Sequence, residues 1–146
     1  KKSKMPQIDF YILTSQSEKS KQLFACRITE KAYKMQHNIV IQAENNKDIE
    51  SLDGLLWNFR DDSFVPHKTT NTETNNALQS IVVPDKKKET NKEDILINLS
   101  GLISDNHRKY QRIIEIVANE DKDKENARKR FAAYRKLGYK IKSHNI

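Results

Sequence analysis

A chain of 146 residues, 36% hydrophobic and 32% charged, suits one globular domain with a proper core and a heavily solvated surface. No apolar run approaches the roughly 18 residues a membrane helix needs, and no signal-peptide pattern appears, so the expected location is the cytoplasm. The net charge of +7 is concentrated late: Asp121 to Ile146 hold nine Lys or Arg and three acids, which calls for an acidic partner, nucleic acid or peptide.

Residues 1–7 offer little that can pack and are expected to be a disordered or tag-like start, with one α/β domain over 8–146. Ile8 to Thr14, IDFYILT, is branched and aromatic and reads as a buried strand. Ser15 with Glu18 matches a capping box and opens a helix to about Gln36, whose apolar stripe is Phe24, Ile28, Ala32 and Met35. Cys26, the lone cysteine, has no partner for an internal disulfide and reads as a buried thiol rather than a nucleophile. His37 and Asn38 end the helix, and Ile39 to Gln42 starts a second strand.

Asn45 or Asn46 caps the next helix, where Ile49, Leu52, Leu55, Leu56 and Phe59 share one face at about 100° per residue. Trp57 points away from that stripe. Phe64 and Pro66 follow in a segment broken by Asp61, Asp62 and Ser63. Spacing alone leaves Trp57 with two readings, an exposed ring at a protein interface or a core indole bonded to a carbonyl. The polar stretch from Lys68 to Asn76, KTTNTETNN, reads as a mobile loop. Ser80 to Val83 and Ile95 to Leu99 read as strands on either side of the basic stretch DKKKETNKE, and Ile113 to Val117 as another. Asp121 or Asp123 opens a last helix to about Leu137, Gly138 ends it, and Tyr139 to Lys142 forms a short final strand. Alternating strands and helices predict an α/β, single-domain Rossmann-like three-layer fold with a mostly parallel central sheet.

Such a fold prompts a search for a nucleotide site. The first strand runs into Thr14, Ser15, Gln16 and Ser17 without the glycine that lets a backbone approach a pyrophosphate, and the chain holds only Gly54, Gly101 and Gly138. His37, His67, His107 and His144 are scattered, with no second ligand at metal spacing. Asp61 and Asp62 are the only carboxylate pair beside an aromatic patch, and adjacent acids in a turn normally face water. No serine sits in a nucleophile elbow. The expectation is a noncatalytic protein without cofactor or metal.

The last helix carries more. Lys124, Arg128, Phe131 and Arg135 fall on one stripe, with Ala127, Tyr134 and Leu137 on another side suited to the sheet. Cations attract an acidic ligand, and the ring gives a terminal apolar side chain a surface to rest on. A solvated basic face with one incidental Phe would show the same spacing. A nucleic-acid backbone could also follow the stripe with Phe131 stacked on a base, although one ring is a poor stacking platform.

Asp53 to His67, ending LLWNFRDDSFVPH, together with FYIL at Phe10 to Leu13, ACRITEKAY at Ala25 to Tyr33, DILINLS at Asp94 to Ser100 and ARKRFAAYRKLGYKI at Ala127 to Ile141, resembles in order the chi subunit of bacterial DNA polymerase III. The resemblance implies a noncatalytic accessory subunit of α/β fold in DNA replication. It would link the clamp loader, through the psi subunit, to the acidic C-terminal tail of single-stranded DNA-binding protein. The family's tail-binding positions match Lys124, Arg128, Phe131, often Tyr in the family, and Ala132, often basic; Arg135 joins this set from the stripe. The psi-facing positions match Trp57, Phe64 and Pro66, a patch also implicated in contacts with a repair helicase. No direct nucleic-acid or membrane binding is expected on this reading; the alternative is a single-stranded nucleic-acid-binding module using the basic C-terminal helix. One departure is that KTTNTETNN replaces the Gly-rich turn usual after Phe-Val-Pro-His.

Overall fold

Short runs of branched aliphatic residues build a central sheet, with helices between them. In chain order the elements are β1 (Gln7–Ile12), α1 (Glu18–Lys34), β2 (Ile39–Ala43), α2 (Asn46–Asn58), β3 (Lys68–Asn71), β4 (Gln79–Val83), β5 (Ile95–Asn98), β6 (Arg112–Val117), α3 (Asp121–Lys136) and β7 (Ile141–Asn145), with one 3₁₀ turn at His107–Lys109. This computed structural model describes residues 6–35, 37–44, 46–58, 68–71, 79–83, 95–103 and 107–146, leaving the side chains at 46, 57, 58, 68–71 and 79–83 outside the description.

The strand order is β3-β4-β2-β5-β6-β1-β7. β2, β5, β6, β1 and β7 run parallel, while β4 is antiparallel to β2 and β3 antiparallel to β4. β2 and β5 are buried along their whole length, as strands covered on both faces must be. Alternation sorts their side chains. Ile39, Ile41, Ile97, Ile114 and Ile116 face Ala25, Cys26 and Ala32 of α1 and Ile49, Leu52 and Leu56 of α2. Ile8, Phe10, Val40, Leu96, Ile113 and Val117 face Ala127 and Tyr134 of α3, with Tyr110 and Tyr139. The result is the three-layer, mostly parallel α/β fold that the alternation predicts.

Several boundaries differ from the sequence reading. Ser17, not Ser15, caps α1: its hydroxyl accepts from Ser20 N at 3.1 Å, and Ser15 lies outside the helix with its own hydroxyl 2.7 Å from that of Ser20. Met35 is 63% exposed and Leu137 43%, because each is the C-cap residue, past the last turn that packs on the sheet. Lys68–Asn71 is a strand and not a loop. It occupies the outer edge, where β-branched Thr69 and Thr70 suit extended backbone without any apolar alternation to announce it. Residues 72–76 of the predicted loop, Asn45 and Phe59 lie outside the described residues. β1 begins at Gln7, reaching one residue into the stretch expected to be unstructured. β7 starts at Ile141 because Tyr139 turns inward after Gly138, whose φ of +89° suits glycine.

Candidate functional site

The position of α3 on the sheet is fixed at both ends of its buried side. Its first turn is capped by Glu120, which accepts from Lys122 N at 2.9 Å and Asp123 N at 3.3 Å. Asp123 in turn accepts from Ala118 N at 2.7 Å, tying the helix to the end of β6, and from Lys21 Nζ at 3.1 Å, tying it to α1 across the sheet. Further along, Arg130 Nε donates to Glu115 Oε1 at 3.0 Å, and the Tyr134 hydroxyl donates to Oε2 at 2.7 Å. Asn98 Nδ2 donates to the same Oε2 at 3.0 Å. Burial raises the Glu115 carboxyl above the usual glutamate value against the pull of Arg130, Asn98 and Tyr134. The Tyr134 phenol is raised as well, by burial and then by the carboxylate beside it. Fully enclosed, this cluster fastens the helix rather than meeting solvent.

With Ala127, Arg130 and Tyr134 turned to the sheet, the adjoining stripe comes to lie over β1 and β7. There Lys124, Arg128 and Phe131 border a groove of about 420 Å³. Its floor is Phe10, Ile12, Val117 and Ala127, and its far wall is Ser143 and Asn145. Phe131 is half-buried, its ring 5.5 Å from that of Phe10 at an interplanar angle of 52°, so it serves the core and the groove together. The sequence reading set Phe131 apart from the side suited to the sheet, and its contact with Phe10 corrects that division. Among the described residues neither Lys124 nor Arg128 is ion-paired, and no carboxylate lines the groove. Ala132 and Arg135 are exposed and do not line it. Arg135 stands about three turns beyond Lys124, past the end of the groove.

The far wall is anchored through Asp9. His144 donates to Asp9 at 3.0 Å and Arg112 at 2.7 Å, so β7 is held to β1 by side chains as well as by the ladder. Burial pushes the Asp9 carboxyl up, but the bonds from His144, Arg112 and Gln7 outweigh it and hold the group below its ordinary value. Ser143 and Asn145 were missing from the sequence reading because the last strand was placed too early; their alternation with Ile141 was the available signal. The Arg130 to Glu115 pair was missed too, although a glutamate inside the run IIEIV marks a buried acid that needs a partner.

Adjacent β1 and β6 send their following helices to opposite faces, which is where doubly wound sheets take ligands. Here Asn119 bridges that crevice, its N donating to Ser15 O at 2.8 Å and its Nδ2 to Thr14 O at 3.2 Å. Cys26 is enclosed and burial pushes its thiol up to about 12, so it is a packing residue as expected. Among the described residues no cluster of His, Cys, Asp or Glu is placed to hold a metal, and no helix is long and apolar enough to cross a membrane. Trp57 sits in the last turn of α2 with its side chain outside the description, and Phe64 and Pro66 lie outside the described residues.

Residues 5–142 match the family model described as DNA polymerase III chi subunit, HolC. The chain is 28% identical over 142 residues to the DNA polymerase III subunit chi of Pseudomonas aeruginosa, covering 97% of this chain and 98% of the relative. It is 26% identical over 137 residues to the subunit of that name from Haemophilus influenzae, covering 94% and 95%. With the Escherichia coli subunit it shares 28% identity over 116 residues, 80% of this chain and 79% of the relative. The family match spans the enclosed Glu115 cluster and the α3 side of the groove, and the chain belongs to the chi subunit family of DNA polymerase III, accessory subunits of the replicative polymerase.

Proposed function

We propose that this chi subunit is a noncatalytic adaptor that joins the clamp loader, through psi, to the acidic C-terminal tail of single-stranded DNA-binding protein. The observation that carries the reading is the groove along α3, where two cations that make no ion pair among the described residues stand over an apolar floor. Lys124 and Arg128 supply charge-assisted hydrogen bonds to the carboxylates of the tail. Phe131, Phe10 and Val117 receive its terminal apolar side chain, and Ser143 and Asn145 offer polar partners to its backbone. Phe131 lacks the phenol oxygen often found there in the family, and Ala132 supplies no cation, so the site leans on Lys124 and Arg128. We assign psi to Trp57, Phe64 and Pro66 on the family resemblance, which names a repair helicase as a further candidate partner at the same positions.

Calorimetry with a short acidic peptide ending in Phe tests the groove. Arg128→Ala removes a charged hydrogen bond of about 1.5 to 3 kcal/mol, weakening the peptide about tenfold or more. Trp57→Ala abolishes psi binding and leaves the peptide bound. Unchanged affinity in Arg128→Ala removes that residue from the site. Loss of both partners in Trp57→Ala, with circular dichroism intact, defeats the two-surface arrangement.

A further inference from the structure

A second groove, of about 370 Å³, lies on the opposite face of the sheet, where α1 passes the starts of β5 and β6. Tyr11, Phe24, Ile28 and Ile114 make its floor, and Arg27, Lys31 and Arg112 stand around it. Arg27 and Lys31 are exposed, one helical turn apart on α1, and neither is ion-paired among the described residues. Arg112 reaches in from β6 with its Nε on Asp9 and its Nη2 3.4 Å from the Tyr11 hydroxyl. Asp9 is already engaged by Arg112, His144 and Gln7, and Glu30 is buried and pairs with Lys34 at 3.8 Å. Cations near the C-terminus of a helix suit its dipole, which accounts for Lys31, and Arg112 is held by Asp9, which leaves Arg27 unexplained.

We propose that this groove docks an acidic segment of a partner protein that carries a bulky apolar side chain, independently of the groove along α3. The floor offers an apolar surface and the rim two cations, Arg27 and Lys31, beside an Arg112 already bonded to Asp9, with no carboxylate among the described lining residues, which is complementary to acids flanking an apolar anchor. The rings are arranged against nucleic acid. Tyr11 has one face covered by His144, with ring centroids 4.6 Å apart and nearly parallel, and Phe24 tilts against Tyr11 at 5.3 Å and 53°, so the two rings make no parallel platform for successive bases.

The test uses the full chain carrying Lys124→Ala and Arg128→Ala, so that the α3 groove is silent. An acetylated and amidated peptide of Asp and Glu around a central Leu-Phe pair is titrated into ¹⁵N-labelled protein. Amide shifts are expected at Tyr11, Phe24, Ile28 and Lys31. Adding Arg27→Glu and Lys31→Glu, both exposed positions, weakens the peptide about tenfold or more while the dispersed spectrum is retained. Shifts confined to other surfaces, the same affinity after the charge reversal, concentration-dependent self-association at this face, or displacement of the peptide by a single-stranded oligonucleotide would each overturn the proposal. A free-ended acidic peptide binding the α3 groove of the unmodified chain is unaffected by the charge reversal, so the two grooves are judged separately.

Discussion

Glu115 has no exposed surface, yet three donors converge on its carboxylate, and one of them is the guanidinium of Arg130. Removing one partner of an enclosed ion pair strands the other, at a cost of about 3 to 5 kcal/mol. Arg130→Met is therefore expected to lower unfolding stability by an amount of that order at neutral pH, measured by urea denaturation. The sign of its pH dependence follows from the raised Glu115 proton affinity. A carboxyl that holds its proton more tightly when folded contributes fully below the ordinary glutamate value, and its contribution is lost as pH rises through the folded value. Without the guanidinium that loss is deeper, so the variant recovers part of its stability on acidification. A variant as stable as the parent at neutral pH would show that the pair does not fasten the helix. Individual residues were read best from sequence where periodicity decides: Cys26, Leu52, Leu56 and Tyr134 are buried as their spacing implies. Arg130 was not, because a cation on the sheet side of a helix is intelligible only once its acid is known to lie beneath it.

Among the elements, the terminal helix was the most readable. Its acidic first turn, its length and the glycine after it all correspond to α3, Asp121–Lys136, and Gly138. Gly138 adopts φ of +89°, and a Cβ placed there meets nothing within 4 Å. Gly138→Ala accordingly carries only the backbone cost of a left-handed residue, about 1 kcal/mol. That should lower the urea midpoint without altering the slope, and an unchanged midpoint would mean that the turn adopts another conformation. The short edge strands were the least readable. β3 is polar Lys-Thr-Thr-Asn, and nothing in hydropathy separates it from a loop until β4 is known to lie beside it. β7 was shifted by Tyr139, whose aromatic character resembles the start of a strand but whose hydroxyl reaches His107 Nδ1 at 2.6 Å inside the molecule. The two strand residues that wall the groove, Ser143 and Asn145, were lost with that shift.

At the scale of the whole molecule, the layered fold follows from regular alternation of strand and helix, and the sheet separates two grooves by face. The basic surplus of the last segment resolves into different duties. Arg130 is buried against Glu115, whereas Lys124 and Arg128 make no ion pair among the described residues and stand over an apolar floor. A positive surface by itself attracts any polyanion, and either ligand class weakens with salt, so salt dependence does not distinguish them. The floor does, because an acidic tail ending in an apolar residue uses both parts of the groove, whereas one half-buried ring gives a run of bases little to stack on. The decisive measurement is a titration of the chain at one fixed salt concentration, with an acidic peptide ending in Phe in one series and a single-stranded oligonucleotide of equal charge in the other. Tighter binding of the peptide, lost in the Lys124→Ala, Arg128→Ala variant, is the predicted result; tighter binding of the oligonucleotide with no other protein present would contradict it.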